Sequence, residues 1–342
     1  METTFYMPKP ANRPLLDAIG SLATAEVFTH KGEYLQGPIP LVVDGRERYT
    51  MGVFSLLDDL NSAFVDVRAH KHSPIGSHAQ YQTGDDSPAV SVHANGWNDG
   101  EVKIVTISVV ATWKWLKIKE KPHYEVYGYH DILVGAGSGS SSALIEAAII
   151  ATAREHGREL DYEEIYSIHA EVESGSDALT YPQASVVAGR LPLTSPVKVM
   201  GWRPPSFKAI TWSTGDSVST GSVKFSYTEP EMLLWRVRWA SVERAVRTGD
   251  SRRLATLAMA SADENQKRNI SRDLPLLIHA VSNFGALGYS VAHTGSYHTA
   301  LFPSTVERDL LDSFSDHVRT HSKHLATEVR VFDTTQAAER RK

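Results

Sequence analysis

The chain has 342 residues, 42% hydrophobic and 22% charged, enough for two lobes that each bury a core. A formal net charge of -5 gives no basic excess for nucleic-acid binding, and the lack of cysteine excludes disulfides, thiolate catalysis and cysteine-based zinc sites. With no signal-peptide core in residues 1–15 and no apolar run of membrane-spanning length, a soluble, cytoplasmic protein with neither nucleic-acid nor membrane partners is expected.

In chain order, a Pro-rich start leads to a strand-like run, Ala23 to Phe28. It reaches a turn with two glycines, His30-Lys31-Gly32-Glu33-Tyr34-Leu35-Gln36-Gly37. Further strand-like runs cover Leu41 to Val43, Tyr49 to Phe54 and Ala63 to Val67, before a polar loop from His70 to Asp86. Glu101 to Val110 and His123 to Tyr129 read as two more β-rich stretches, and Ile132-Leu133-Val134 as a short strand. A helix then runs from Leu144 to a stop near Gly157, and a second, with an acidic start, covers Tyr162 to Ala170. Ala188 to Tyr227 reads as strands and turns. Helices are expected over Glu231 to Val246, Arg252 to Asn265 and Pro275 to Leu287, then strand-loop-strand from Tyr289 to Phe302. A helix from Val306 to His321 and a strand from Glu328 to Phe332 close an α+β plan of two lobes, with a seam near Gly189 to Pro205.

Between the short strand and the first long helix stands Gly135-Ala136-Gly137-Ser138-Gly139-Ser140-Ser141-Ser142-Ala143. Alternating glycines tolerate positive φ and let backbone N–H groups turn toward one guest, while the serines cap the helix start and add hydroxyl donors. A helix N-terminus with open N–H groups favours an anion, most naturally a phosphate. The spacing is neither G-x-G-x-x-G nor a loop ending in Gly-Lys-Ser/Thr, and a plain Gly/Ser linker would not join an apolar strand to an apolar helix.

Further on, Glu171-Val172-Glu173-Ser174-Gly175-Ser176-Asp177 gathers three carboxylates around a Gly/Ser turn. On its own this is a solvated helix end. Beside a phosphate loop it becomes a candidate Mg²⁺ partner and acceptor-side carboxylate, because Mg²⁺ on a nucleotide needs one or two carboxylates besides phosphate oxygens. His70, His72 and His78 read as solvated loop histidines rather than a zinc site, since a His-x-His pair still needs a third ligand in fixed geometry. Trp97, Trp113 and Trp115 read as core or interface aromatics, and a strand-borne interface near Val109 to Leu116 would allow a homodimer.

Gly135 to Ala143 resembles the second motif of the GHMP kinases, Pro-x-x-Gly-x-Gly-Leu-Gly-Ser-Ser-Ala. Ser138 stands for the leucine, Ser142 for the alanine, and the proline is missing. The Glu173 to Asp177 turn resembles the family's following acidic segment, and His293-Thr294-Gly295-Ser296 its third motif. Lys31-Gly32-Glu33-Tyr34-Leu35-Gln36-Gly37 is similar to the Cys-Gly-Glu-Leu-Ile-Gln-Gly of the L-threonine kinase branch linked to propanediol utilisation and cobalamin side-chain synthesis. Ala262-Asp263-Glu264-Asn265-Gln266, Ala286-Leu287-Gly288 and Val291 to Gly295 are similar to that branch's C-terminal signature.

The resemblance implies a ribosomal-protein-S5-like N-terminal lobe over residues 1–190 and a ferredoxin-like C-terminal lobe over 191–342. It implies ATP and Mg²⁺ as cofactors and a small-molecule hydroxyl substrate, with threonine, serine or a similar hydroxy acid foremost. Gly135, Gly137, Ser138, Gly139, Ser140, Ser141 and Ser142 would bind the phosphates, with Thr294, Gly295 and Ser296 closing from the other lobe. Ser141 and Glu173 match the Mg²⁺ partners, with Glu171 as fallback. Asp177 would face the acceptor hydroxyl, and Lys31 could steady the transferring phosphoryl group. Arg190, Lys31 or a helix N-terminus could clamp a substrate carboxylate. A kinase for a sugar or specialised-metabolite alcohol, and a non-catalytic ligand-binding protein of the same fold, are the alternatives.

Overall fold

Two very long strands organise the molecule. β1 (Thr24–Val43) and β2 (Arg46–His70) pair antiparallel from Thr24↔Asp66 to Val43↔Arg46. The short strands expected from the sequence are therefore pieces of one hairpin, and the expected turn at His30 to Gly37 lies inside β1. The irregularity that the glycines signalled is a set of register shifts at Phe28/His30, His30/Glu33 and Glu33/Leu35, with Gly32 at φ +98°. A bulge bends a strand and re-aims its side chains without ending it. Opposite the first shift, Asp58 Oδ1 accepts the N–H groups of Leu60 and Asn61 at 2.7 and 3.1 Å, and its Oδ2 accepts the Thr29 hydroxyl at 2.9 Å.

The computed structural model describes residues 23–43, 45–71, 80–81, 87–173, 177, 179–180, 185–189, 198–199, 202–215, 226–293, 295–322 and 328–335. The further strands are β3 (Gln80–Tyr81), β4 (Ala89–His93), β5 (His123–His130), β6 (Ser185–Gly189), β7 (Lys198–Val199), β8 (Phe207–Ser213), β9 (Gly288–Val291), β10 (Tyr297–Pro303) and β11 (Glu328–Asp333). The helices are α1 (Asp99–Trp115), α2 (Ser140–Glu155), α3 (Tyr162–Val172), α4 (Glu229–Thr248), α5 (Ser251–Asn265), α6 (Leu274–Asn283) and α7 (Arg308–His321). A seven-stranded sheet runs β3-β4-β5-β2-β6-β7 with β1 on β2, and a four-stranded antiparallel sheet runs β11-β8-β10-β9. The second sheet takes its strands in the order fourth, first, third, second, which is ferredoxin-like topology. The expected mixed α+β architecture is present.

Three local readings need correction. Glu101 to Val110 belongs to α1, not to a strand. Its β-branched run favours a strand by propensity. Against that, Asn98 and Glu101 form a capping box, and Val105, Val109 and Thr112 bury on one side with helical spacing. Its hydroxyls also fit the helix: Thr106, Ser108 and Thr112 donate to carbonyls four residues back. The interface imagined on a strand near Trp113 and Trp115 therefore has no strand to stand on. Ile132 to Val134 is irregular rather than a strand, because Asp131 caps the end of β5: its Oδ1 accepts Ser62 N–H at 2.9 Å and its carbonyl accepts Asn61 Nδ2 at 2.8 Å. Lastly, α6 stops at Asn283, so the expected helix over Pro275 to Leu287 is short by a turn.

One core packs Val65, Val67, Val90, Tyr124 and Val126 of the large sheet against Val105 and Val109 of α1 and Leu144, Ala147 and Ala151 of α2. Another joins Tyr34, Leu35, Ile39, Phe54 and Leu56 of the hairpin to Trp235 and Trp239 of α4, Leu254 and Ala258 of α5, and Phe207, Leu301 and Phe332 of the small sheet. Gly37 closes the motif at its Trp235 contact, since a Cβ there would meet the indole ring at 2.5 Å. Each buried tryptophan contributes about 2–3 kcal/mol of apolar transfer. Among the described residues no helix is long and apolar enough to cross a membrane.

Candidate active site

The glycine loop leaves the end of β5 and enters α2. Gly135, Gly137 and Gly139 take φ of +77°, +76° and +69°, the alternation that turns successive N–H groups to one side. Gly139 is the N-cap of α2, and no side chain caps that helix. The serines expected to cap it do other work: Ser138 Oγ donates to Leu133 O at 3.4 Å, Ser141 Oγ to Glu173 Oε2 at 2.8 Å, and Ser142 Oγ to Asp177 Oδ2 at 3.4 Å. By contrast α1, α3 and α4 each begin with a full capping box. The start of α2 thus keeps backbone donors that side chains satisfy in α1, α3 and α4, though α6 and α7 also lack a side-chain cap. Ser140 and Ser141 are partly exposed at this end, and Ser138 and Ser142 are buried.

The small sheet closes the loop from the other lobe. Ser296 N–H donates to Ala136 O at 2.9 Å, and Ala136, Ala292 and Tyr297 form a small apolar cluster. Gly295 has no room for a side chain: a Cβ there would land on the Ala136 carbonyl and the Gly137 nitrogen. Thr294 lies outside the described residues, as do Ser174 to Ser176, His72, His78 and Arg190. Glu33 anchors the same turn, for its Oε2 accepts His293 N–H at 3.1 Å and meets His293 Nδ1 at 2.9 Å. His293 Nε2 in turn lies 3.1 Å from Ser261 Oγ.

Glu173 ends α3 and faces the loop through Ser141, whereas Glu171 is exposed. Burial raises the Glu173 carboxyl above its ordinary value, with Asp177 adding to the shift, and the Ser141 hydrogen bond and the charge of His169 oppose it. Asp177 is half-buried on the other side of the serines. Its Oδ1 accepts the Ser55 hydroxyl at 3.2 Å, its N–H donates to Ser142 Oγ at 3.2 Å, and its Oδ2 lies 3.2 Å from His30 Nε2. Burial alone would raise Asp177, but the charge and hydrogen bond of His30 and the hydrogen bond from Ser55 outweigh it, leaving Asp177 below the ordinary range.

His30 is the residue that sequence reasoning passed over. Burial works against its charged form, yet Asp177, Glu33 and Asp58 lift it to about 9. Lys31, the neighbour singled out from sequence, is buried at the seam of the lobes, with Nζ 3.8 Å from Asp58 Oδ2 and 4.3 Å from the Tyr297 ring centroid. A signal was present in the sequence: a histidine and a lysine adjacent in a strand must point to opposite sides. Reading the segment as a turn removed that alternation.

The raised His30 value has a consequence for stability. An unfolded histidine loses its proton near 6.5 and the folded one near 9. Stability from this group is therefore complete below pH 6.5 and is lost as pH rises through 9. Its full size is about 3 kcal/mol. Denaturant midpoints at pH 6, 8 and 9.5 are expected to fall less in His30→Gln than in the parent chain.

Residues 108–184 match the family model described as the GHMP kinases N terminal domain. Over nearly the whole chain the fold resembles the mevalonate kinase of L. major, solved with R-mevalonate, at 15% identity and TM-score 0.58, covering 91% of this chain and 95% of that one. The fold is that of the GHMP kinases. Homoserine kinase from Cytophaga hutchinsonii gives 13% identity and TM-score 0.59, with 91% and 94% of the two chains covered. D-glycero-D-manno-heptose 1-phosphate kinase from Bacteriodes thetaiotaomicron gives 13% and 0.58, with 91% and 96% covered. No curated protein matches the chain by sequence. In this GHMP fold the matched segment holds the glycine loop, α2, α3 and Asp177, so it covers one side of the site. Gly295 and Ser296 supply the other.

Proposed function

We propose that the chain is an ATP- and Mg²⁺-dependent kinase for the hydroxyl of a small metabolite, with threonine, serine or a similar hydroxy acid as acceptor. The observation that carries this reading is the placement of two carboxylates on either side of one helix start. Glu173 meets it through Ser141, and Asp177 through Ser142. The uncapped N–H groups of α2 and the positive-φ loop fit phosphate oxygens. The Ser141 hydroxyl and Glu173 carboxylate fit Mg²⁺, which on a nucleotide takes few protein ligands. Among the described residues no group of three or more His, Asp or Glu is arranged as a metal site. Bound there, Mg²⁺ would neutralise charge on the transferring phosphoryl group.

The chain's residues then divide the work. The loop N–H groups and Ser140 hold the phosphates, and Gly295 and Ser296 keep the loop shut from the second lobe. The acceptor oxygen forms a bond to the γ-phosphorus as the bond to the leaving diphosphate oxygen breaks, and the hydroxyl proton passes to the Asp177 carboxylate. A carboxylate with a lowered pKa is a weak base. It suits a loose transition state, in which the hydroxyl proton leaves late and orientation matters most. Leu133 and Val134, each 41% exposed at the loop's rim, offer apolar surface for a base.

The threonine-type acceptor rests on the motif likeness at Lys31 to Gly37 and Ala262 to Gln266. The solved neighbours, which are mevalonate, homoserine and heptose 1-phosphate kinases, support a wider range of alcohols as a second reading. ADP release from Mg²⁺-ATP across L-threonine, L-serine, homoserine, simple sugars, mevalonate and a no-acceptor blank decides between them. Threonine- or serine-dependent release supports the first reading, and release with another alcohol keeps the kinase alone. Silence with ATP still bound counts against both. Ser141→Ala should raise the Mg²⁺ concentration needed for half-maximal rate by about 10-fold, the effect of losing one ion-oriented hydroxyl. An unchanged Mg²⁺ dependence would remove Ser141 from the metal's shell.

A further inference from the structure

We propose that His30 is the positioning residue of the acceptor side: its ring clamps Asp177 against the phosphate loop and holds that carboxylate as the anion that receives the hydroxyl proton. The inference rests on the kinase reading above and adds to it a residue that no motif marks.

The geometry suits a charged ring. His30 Nδ1 lies 3.2 Å from Gly32 O, and Nε2 lies 3.2 Å from Asp177 Oδ2. A carbonyl and an ionised carboxylate only accept, so beside an Asp177 held below the ordinary carboxyl range both ring nitrogens donate, which is the imidazolium. The elevated value of about 9 agrees with this. The ring is also held in place. The register shift between Phe28 and His30 aims it inward, and His30 N–H donates to Ser138 O at 3.3 Å. A Cβ on Gly139 would meet His30 Cδ2 at 2.7 Å and Asp177 Oδ2 at 3.0 Å, so ring and carboxylate lie together against the residue that opens α2.

The surroundings hold the pair in its ionised form. Around His30 stand Glu33 on its own strand, Asp58 on β2, and Lys31, whose ammonium faces Asp58. Around Asp177 stand Ser55 from β2, Ser142 from α2, His169 from α3, and Glu173 at the end of that helix. Without the imidazolium, burial and the nearby Glu173 would push Asp177 toward its neutral form, which cannot take a proton. His30 therefore acts through Asp177. Its reach across β1, the loop and the segment after α3 also makes it the strut that sets the distance from acceptor to phosphate.

The test combines turnover with a readout that needs none. In His30→Gln, which keeps an amide donor but no charge, kcat is expected to fall about 10²-fold, with the KM for ATP within threefold. The parent enzyme's alkaline limb near pH 9 should vanish, and the acid limb should move to higher pH. Independently, ¹H–¹³C NMR of the histidine rings should show one titrating near 9 that drops toward the ordinary range in Asp177→Asn. Wild-type kcat with an unchanged pH profile in His30→Gln overturns the proposal. So does a loss of ATP affinity as large as the loss of kcat, which would mark a purely structural residue; a lower melting temperature follows from the lost ion pair in either case. If phosphoryl transfer is found and no ring titrates near 9, the pairing fails alone. If the ring titrates near 9 but no acceptor is phosphorylated, the kinase reading fails and takes the positioning role with it.

Discussion

Asp177→Asn is expected to cut turnover by two orders of magnitude or more while leaving Mg²⁺-ATP binding near its original strength. The amide keeps the size of the carboxylate, and one of its two positions can still accept from Ser55 or Ser142. What it loses is the charge that answers His30 and the site for the hydroxyl proton. General-base and orienting contributions of this kind amount to roughly 10²–10⁴-fold. On the proposed reading the nucleotide side is held through Ser141, Glu173 and the loop N–H groups. Loss of the Asp177 charge leaves the Ser141 hydrogen bond to Glu173 in place and favours the ionised form of Glu173. The variant should therefore separate kcat from the KM for ATP. Near-normal turnover would mean that Asp177 is not at the reacting hydroxyl. Steady-state kinetics together with calorimetric titration of the nucleotide make the comparison directly.

Gly295→Ala should be as damaging by a different route. The added methyl would occupy the place of the Ala136 carbonyl and the Gly137 nitrogen, which are backbone atoms with no flexible end to swing aside. Gly137 is equally hemmed in, with its own virtual Cβ 2.8 Å from Ala292 Cβ and 2.9 Å from Gly295 Cα. The turn must withdraw, which breaks the Ser296 N–H to Ala136 O bond and opens the phosphate loop on that side. Overpacking of this sort costs about 1–3 kcal/mol in stability. The functional loss should be larger, about 10²-fold in kcat/KM for ATP, because the loop's donors are displaced from their mutual alignment. ATP affinity should fall here, in contrast to Asp177→Asn. A variant that binds ATP normally would show that the turn does not set the loop.

Much of the site is legible in the sequence because its parts are local. Three glycines at alternate positions followed by serines admit few backbone shapes, and the observed φ values follow from them. The pairing of Ser141 with Glu173 and of Ser142 with Asp177 follows once the loop and the end of α3 are placed side by side. Strand alternation could separate His30 from Lys31, but that His30 and Ser55 both meet Asp177 depends on how β1 and β2 pair across the bulge, a long-range fact that no short window contains. Two misread elements, α1 and the His30 to Gly37 segment, share a cause. Local propensity favours one conformation in each, and partners distant in sequence select another. For α1 those partners are the strands of the sheet it covers, aided by its own local capping box. For β1 they are the register with β2 and the indole of Trp235 on Gly37.

The long hairpin also bears on how the chain acquires its structure. One end of it supplies Val27 and Val65 to the core under α1 and α2, and the other supplies Leu35, Ile39 and Phe54 to the core under α4 and α5. Those second partners lie some two hundred positions later in the chain, since Tyr34 waits for Trp235 and Phe207. During synthesis the hairpin must therefore emerge with half of its apolar face uncovered until residues beyond 200 follow it. Such a high contact order slows folding and exposes the intermediate to aggregation. It also couples the two cores thermodynamically, because unzipping the hairpin at either end strips a wall from both. The molecule should then lose its lobes in a single cooperative step, and a fragment ending near residue 190 would keep the phosphate loop while leaving a strip of bare hydrophobic strand.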